Sequence, residues 1–135
     1  MIYILDANAV SDWMHKHPVF VARVTSVQAS DEVIISATVY GEIMYGIIRL
    51  PSGKRKESLR VNAMGVIKVL RCEPVTTIVA ERYAQLRTDR EQRGVRLAEN
   101  DMWIAATALT LGATLVTRDG DMSRIPGLIV VDWTV

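Results

Sequence analysis

The chain has 135 residues, half of them apolar, and sets 16 Lys and Arg against 15 Asp and Glu. That length suits one domain with a closed core, the apolar content argues against disorder, and no uncharged apolar run nears the roughly 18 residues of a membrane span. A single cysteine, Cys72, permits neither an internal disulfide nor a cysteine-built metal cage, and the first residues lack a basic region followed by an apolar leader, so a soluble cytoplasmic protein is expected.

In chain order, Ile2 to Asp6 reads as the first strand. Ile2, Tyr3, Ile4 and Leu5 form an uncharged run suited to burial on both faces, yet it stops on a carboxylate. Ala9 to Met14 reads as a short helix with Asn8 as its N-cap. Pro18 opens a second helix running to about Gln28, with Phe20, Val21, Val24 and Val27 near helical spacing. Val33 to Ser36 is the next strand, and Thr38 to Leu50 a helix with Val39, Ile43, Met44 and Ile47 on its apolar face. Pro51-Ser52-Gly53 breaks the chain but is too short for a domain linker, and Lys54-Arg55-Lys56 opens a long helix ending near Leu70. Cys72 reads as core filler ahead of a short strand, Glu73 to Val75, which Pro74 confines to a sheet edge. Thr77 to Arg93 is helical and stops at Gly94, and Asn100 to Leu111 is helical and stops at Gly112. Ala113 to Thr117 and Leu128 to Val131 complete the strands, and the chain carries no internal repeat.

Strands alternating with helices, each strand apolar throughout rather than at every second residue, predict an α/β fold with a parallel sheet covered on both faces. Ligands of such sheets bind beyond the carboxyl ends of the strands. Asp6, Ser36 to Thr38, and Thr117-Arg118-Asp119 all fall at such ends.

Four acids stand out by position. Asp6 ends the first strand, Glu42 lies about one turn into the helix after the second, Asp101 lies in the first turn of "ENDMWIAATA", and Asp119 follows "ATLVT". Each also has a purely structural account: Asp6 as a helix cap, Asp101 as a partner of its helix dipole, Asp119 as a turn residue before Gly120, Glu42 as a solvated side chain. Those accounts leave unexplained why acids recur at the same end of successive units, where like charges repel unless cations or protons compensate. Gathering four leaves eleven of the fifteen acids against sixteen Lys and Arg, a basic body around an acidic site, which suits a polyanion held over metal ions. Hard oxygen ligands point to Mg²⁺ or Mn²⁺, while His15 and His17 read as surface-turn residues. Divalent ions at such a site would bind a scissile phosphate and activate water, so no protein nucleophile is needed.

At these residues the chain resembles the PIN-domain family, specifically the VapC and FitB-like toxins of bacterial toxin–antitoxin pairs. The matching segments are "ILDANAVS", "ISATVYGEIMYGI", "AENDMWIAATALTLGATLVTRDGDM" and a final "VDW", in family order over nearly the whole chain. The resemblance implies a three-layer α/β/α sandwich with a mainly parallel sheet and a Mg²⁺-dependent endoribonuclease. It also implies homodimers and a cognate antitoxin that blocks the site. Asp6, Glu42, Asp101 and Asp119 fall on the family's acidic positions, and Asn8 and Thr117 match its polar helpers. Asp6 and Asp101 are then expected to ligate the principal metal, and Glu42 and Asp119 to complete the set and orient the attacking water. "TRDGDM" offers both Asp119 and Asp121 as the fourth acid; Asp119 is preferred, two residues after Thr117. Ala105 and Ala106 would let their helix approach the sheet, and Trp103 reads as a core or interface residue.

Three other readings are weaker. A haloacid dehalogenase-type phosphatase wants a second aspartate where this chain has Asn8. A receiver domain wants a lysine near the site, and "LVTRDGD" supplies arginine. A non-catalytic PIN scaffold would lack site acids. For the RNA backbone, Lys54-Arg55-Lys56 and the group Arg90, Arg93 and Arg96 are candidate contacts, each equally well read as a solvated helix end, with Arg118 and Arg124 beside the site.

Overall fold

The apolar runs become five short strands in a computed structural model that describes residues 1–135. They are β1 (Ile2–Leu5), β2 (Glu32–Ser36), β3 (Arg71–Glu73), β4 (Thr114–Val116) and β5 (Ile129–Val131). Their order in the sheet is β3-β2-β1-β4-β5, and every neighbouring pair is parallel. Six helices surround it: α1 (Ala7–Met14), α2 (Pro18–Thr25), α3 (Ala37–Ile48), α4 (Lys54–Ile67), α5 (Thr77–Gln92) and α6 (Glu99–Leu111). A 3-10 turn, Gly120–Arg124, joins β4 to β5.

This order has one reversal. From β1 the chain steps outward to β2 and β3, then returns past β1 to lay down β4. Parallel crossovers are right-handed. The connections carrying α1 to α4 therefore cover one face, and the crossover carrying α5 and α6 covers the other. The reversal opens a crevice between the carboxyl ends of β1 and β4, where doubly wound sheets bind their ligands.

Both faces of the sheet are covered. Ile4 and Leu5 are consecutive and wholly buried, as are Ile34 and Ile35, and Leu115 and Val116 behave alike. Consecutive burial requires apolar packing above and below the sheet. Ala105, Ala106 and Ala108 are fully buried in α6, so this helix lies flush on its face. The C-terminal segment closes one end: Trp133 packs edge-on to Phe20, with ring centroids 5.6 Å apart, and tilts against Tyr3 at 5.0 Å.

Helix starts follow local capping rules. Ser36 Oγ accepts from the Val39 N–H at 3.2 Å, and Thr76 Oγ1 from the Val79 N–H at the same distance. Gly112 ends α6 with φ 63°, a left-handed value that L side chains resist.

Several boundaries differ from the sequence expectations. Asp6, not Asn8, caps α1: its Oδ1 accepts from the Ala9 N–H at 2.7 Å, and Asn8 lies inside the first turn with its side chain exposed. The second helix stops at Thr25, before Gln28. His17 is not merely a turn residue, since its Nδ1 caps α2 by accepting from the Phe20 N–H at 3.3 Å. The edge strand at Pro74 exists but lies earlier, over Arg71–Glu73, because proline offers no donor to the ladder. Cys72 is therefore a strand residue and exposed, not core filler. Arg71 bridges Glu32 at 3.0 Å and also pairs with Glu73, placing charge along this edge, which discourages pairing with another sheet. No helix is long and apolar enough to cross a membrane.

Burial ranks the strands energetically. Ile4→Ala in the central strand is expected to cost about 2–5 kcal/mol, whereas Ile129→Ala, at a position 65% exposed on the edge strand β5, should cost far less. Urea unfolding of both variants checks the contrast.

Candidate active site

Asp6 follows β1 directly, so the central strand delivers it to the crevice. Its carboxylate is anchored by the Ala9 amide it caps, and the nearby Thr117 hydroxyl favours its charged form. Thr117 is 4% exposed just beyond β4, and its Oγ1 accepts from the Asp119 N–H at 3.0 Å. Thr117 thus stands close enough to Asp6 to favour its charged form while accepting from the loop that carries Asp119. The Asp6 N–H donates to the Val116 carbonyl at 3.2 Å, which joins the two strands flanking the reversal.

Glu42 comes from α3, whose start is fixed by the Ser36 cap at the end of β2. Asp101 occupies the first turn of α6, which the crossover brings to the same edge. Both are half-buried. Asp119 is exposed and caps the 3-10 turn, its Oδ1 accepting from the Asp121 N–H at 3.0 Å.

The electrostatics show that the acids sense one another. Burial pushes the Asp6 carboxyl above the ordinary carboxylate range, and nearby Asp12 adds to the rise. The Thr117 and Ala9 hydrogen bonds and the Arg118 charge partly offset it. Burial also raises Glu42, and the charges of Asp101 and Asp6 raise it further. Asp101 is raised by burial, then by Asp119 and Asp6. All four acids are linked in this mutual repulsion. Asp121 takes no part in it: its side chain is 73% exposed and its nearest cation is Arg124 at 4.0 Å. The fold therefore puts Asp119, rather than Asp121, in electrostatic contact with Asp101.

Two further residues belong to this surroundings. Arg118 Nε lies 3.3 Å from Asp12 Oδ2, and its charge reaches Asp6 and Asp132 as well. Asp12 is 13% exposed at its side chain, and its Oδ2 has no hydrogen-bond partner beyond that ion pair. Sequence reasoning placed Arg118 beside the site but passed over Asp12. Its helical position was legible; its tertiary neighbour was not. Trp103, two residues beyond Asp101, stacks flat on Tyr83 with centroids 3.8 Å apart, which fastens α6 to α5.

As a donor set, the acids offer hard carboxylate oxygens only, the preference of Mg²⁺ and Mn²⁺. No group of three or more acidic, histidine or cysteine side chains is drawn together tightly enough to cage an ion.

The chain matches the PIN-domain model over residues 3–128, and it belongs to the PIN-domain family. Among curated relatives it is 30% identical to Ribonuclease VapC2 of Rickettsia felis, with 98% of each chain covered. It is 34% identical to Toxin FitB of Neisseria gonorrhoeae, with 86% of each covered. Among solved structures it superposes on VapBC-1 from nontypeable Haemophilus influenzae with a TM-score of 0.86 and 27% identity, covering both chains fully.

The raised carboxyls have a consequence for stability. Asp101 holds its proton to higher pH in the folded chain than in the unfolded one. Its protonation favours folding below the ordinary carboxylate range, and that advantage is lost as pH rises through the raised folded value. Near neutral pH the ionised Asp101 therefore opposes folding. Asp101→Asn should melt at a higher temperature than wild type at pH 7, with the difference closing as pH falls below the carboxylate range. Thermal melts across that pH span, in chelator, provide the check; identical midpoints at pH 7 would contradict the repulsion.

Proposed function

We propose that this protein is a Mg²⁺-dependent endoribonuclease, the toxin of a toxin–antitoxin pair, acting on RNA in the cytoplasm. The observation that carries the reading is the mutual repulsion of Asp6, Glu42, Asp101 and Asp119 at the sheet's reversal, in a chain whose relatives are named ribonucleases and toxins. Raised carboxyls held together by the fold favour a divalent cation as counter-charge, and a phosphodiester is the substrate that such a cation suits.

The residues divide the work. Asp6 and Asp101 are the intended ligands, brought to the crevice by β1 and α6. Thr117 fixes the orientation of Asp6 and locks it against the Asp119 loop, leaving the remaining Asp6 lone pairs for the site. Glu42 and Asp119 flank this pair and orient the attacking water. A bound divalent ion would neutralise the carboxylates and polarise both the scissile phosphate and water. Water adds to phosphorus, one P–O ester bond breaks, and the leaving oxygen takes up a proton. Arg118, poised between Asp6 and Asp12, supplies positive charge at the rim where backbone phosphates approach.

A partner follows from the relatives too. VapBC-1 is solved as a complex, and a cognate antitoxin covering this site, with the toxin as a homodimer, is the assembly we propose here.

Asp6→Asn and Asp101→Asn should abolish cleavage of RNA and growth inhibition while leaving the fold intact, since Asn at position 6 still accepts at the helix cap. Thr117→Val should lose roughly 10–100-fold in rate, the usual penalty for removing a group that orients a ligand. Asp119→Ala should cost more activity than Asp121→Ala. Cleavage assays with purified protein decide these. Mg²⁺ should also raise the melting temperature of the wild type and raise it less in Asp101→Asn. Calorimetry with no divalent binding, with or without RNA, would sink the metal assignment.

A further inference from the structure

Asp12 is an acid near the site that the proposed chemistry does not use. It lies on α1, its side chain is 13% exposed, and its Oδ2 is shut off from solvent. No hydrogen bond reaches that oxygen, and its one counter-charge is Arg118, whose Nε stands 3.3 Å away. A carboxylate enclosed in this way and stripped of its only cation is left as an uncompensated charge. That costs far more than parting a pair on open surface. Asp12 therefore holds Arg118 firmly, although the arginine side chain itself is 51% exposed.

Arg118 has a second acid to choose. It follows Thr117 directly, and its charge is among the groups that lower the Asp6 carboxyl against the burial that raises it. A guanidinium beside a carboxylate gains most from a forked pair of hydrogen bonds. Arg118 forms none with Asp6: its ion pair is with Asp12, through Nε, and neither Nη donates a hydrogen bond to the chain. The C-terminal segment walls in this arrangement. Asp12, Thr117 and Arg118 share a narrow crevice with Asp132, Trp133 and Thr134. Asp132 Oδ1 is taken by the Thr134 N–H at 2.8 Å and the Thr134 hydroxyl at 2.6 Å, while buried Trp133 packs on Phe20 of α2. The closing "VDW" thus builds a fixed wall beside the Asp12–Arg118 pair.

We propose that Asp12 is a positioning residue for RNA binding: it ties Arg118 by Nε, keeps the guanidinium off Asp6, and leaves the two Nη groups for a backbone phosphate. This rests on the ribonuclease reading and deepens it, because it names what keeps a cation beside an acidic centre without neutralising that centre. Its sign is opposite to that of plain charge. Removing an acid beside a bound polyanion ordinarily strengthens binding. Removing Asp12 should weaken it, since Arg118 then turns to Asp6 and its Nη groups are lost to the RNA.

The test is a double-mutant cycle. A mixed-sequence single-stranded oligoribonucleotide is bound across a salt series in an Asp101→Asn background, which blocks cleavage and keeps Asp6. Asp12→Ala should weaken binding about tenfold and lower the salt slope by about one, and Arg118→Gln should do the same. With Arg118→Gln already in place, Asp12→Ala should weaken binding no further. Asp12→Glu keeps the carboxylate and should recover most of the affinity. Thermal melts identify a variant that has lost its fold; if Asp12→Ala is one, Asp12→Asn, which keeps the shape, takes its place in the cycle. Binding unchanged or strengthened by loss of Asp12 overturns the proposal, and so does an equal loss with and without Arg118. The ribonuclease reading survives either result if the protein with Asp101 restored cleaves RNA. The expected cycle in a protein that never cleaves with Asp101 restored supports the role of Asp12 and refutes the ribonuclease reading, so the two failures are distinct. A wild type that binds no RNA overturns both.

Discussion

Asp6 is the pivot of this molecule: a carboxylate fixed at the end of the central strand, where burial opposes its charge and Asp12, Glu42 and Asp101 repel it. A carboxylate in that position must be compensated. Part of the compensation is built in, through the Ala9 amide, the Thr117 hydroxyl and the Arg118 charge. The rest is left for a ligand. The raised carboxyls of Glu42 and Asp101 record the same unfinished balance. The fold thus holds repulsion at one edge of its sheet, and a divalent cation with a phosphodiester is the partner we propose to relieve it.

The sheet makes this tolerable. Paired buried residues in β1, β2 and β4 cover both faces with apolar packing, so the stability lost at the crevice is offset in the layers beneath it. The topology also makes the repulsion unavoidable. A strand order with one reversal leaves a single crevice, and Asp6, Thr117 and Asp119 stand at its two walls. Glu42 and Asp101 arrive from opposite faces, on α3 and α6.

Positive charge is arranged around this centre at graded depth. Arg118 sits at the rim, paired with Asp12. Farther out, α5 and α6 run antiparallel, tied by the Tyr83–Trp103 stack and by Arg87 between Tyr83 and Glu99. Their junction buries Arg90 with one donor free.

Local rules read well from the chain. Uncharged apolar runs marked β1, β2 and β4, Gly112 and Gly94 marked helix ends, and Pro74 marked an edge strand, because each depends on neighbours a few residues away. Motif resemblance carried the PIN assignment and the acidic positions. The errors were also local: Asn8 looked like the cap, but the chain turns two residues sooner and Asp6 takes the amide. Cys72 looked like core because it stands at the start of a strand, yet the edge position exposes it.

By itself, then, the sequence determined which segments pack, where they end and which acids could act together, since periodicity, capping and motif spacing are short-range properties. Tertiary structure alone decided what faces what. The one reversal in strand order brought Thr117 to Asp6 and set Arg118 between Asp6 and Asp12. The fold of the 93–98 turn sank Arg90 while leaving Arg93 and Arg96 in solvent. Whether an arginine at a helix end is solvated or buried depends on chain from elsewhere passing over it, and no local pattern encodes that.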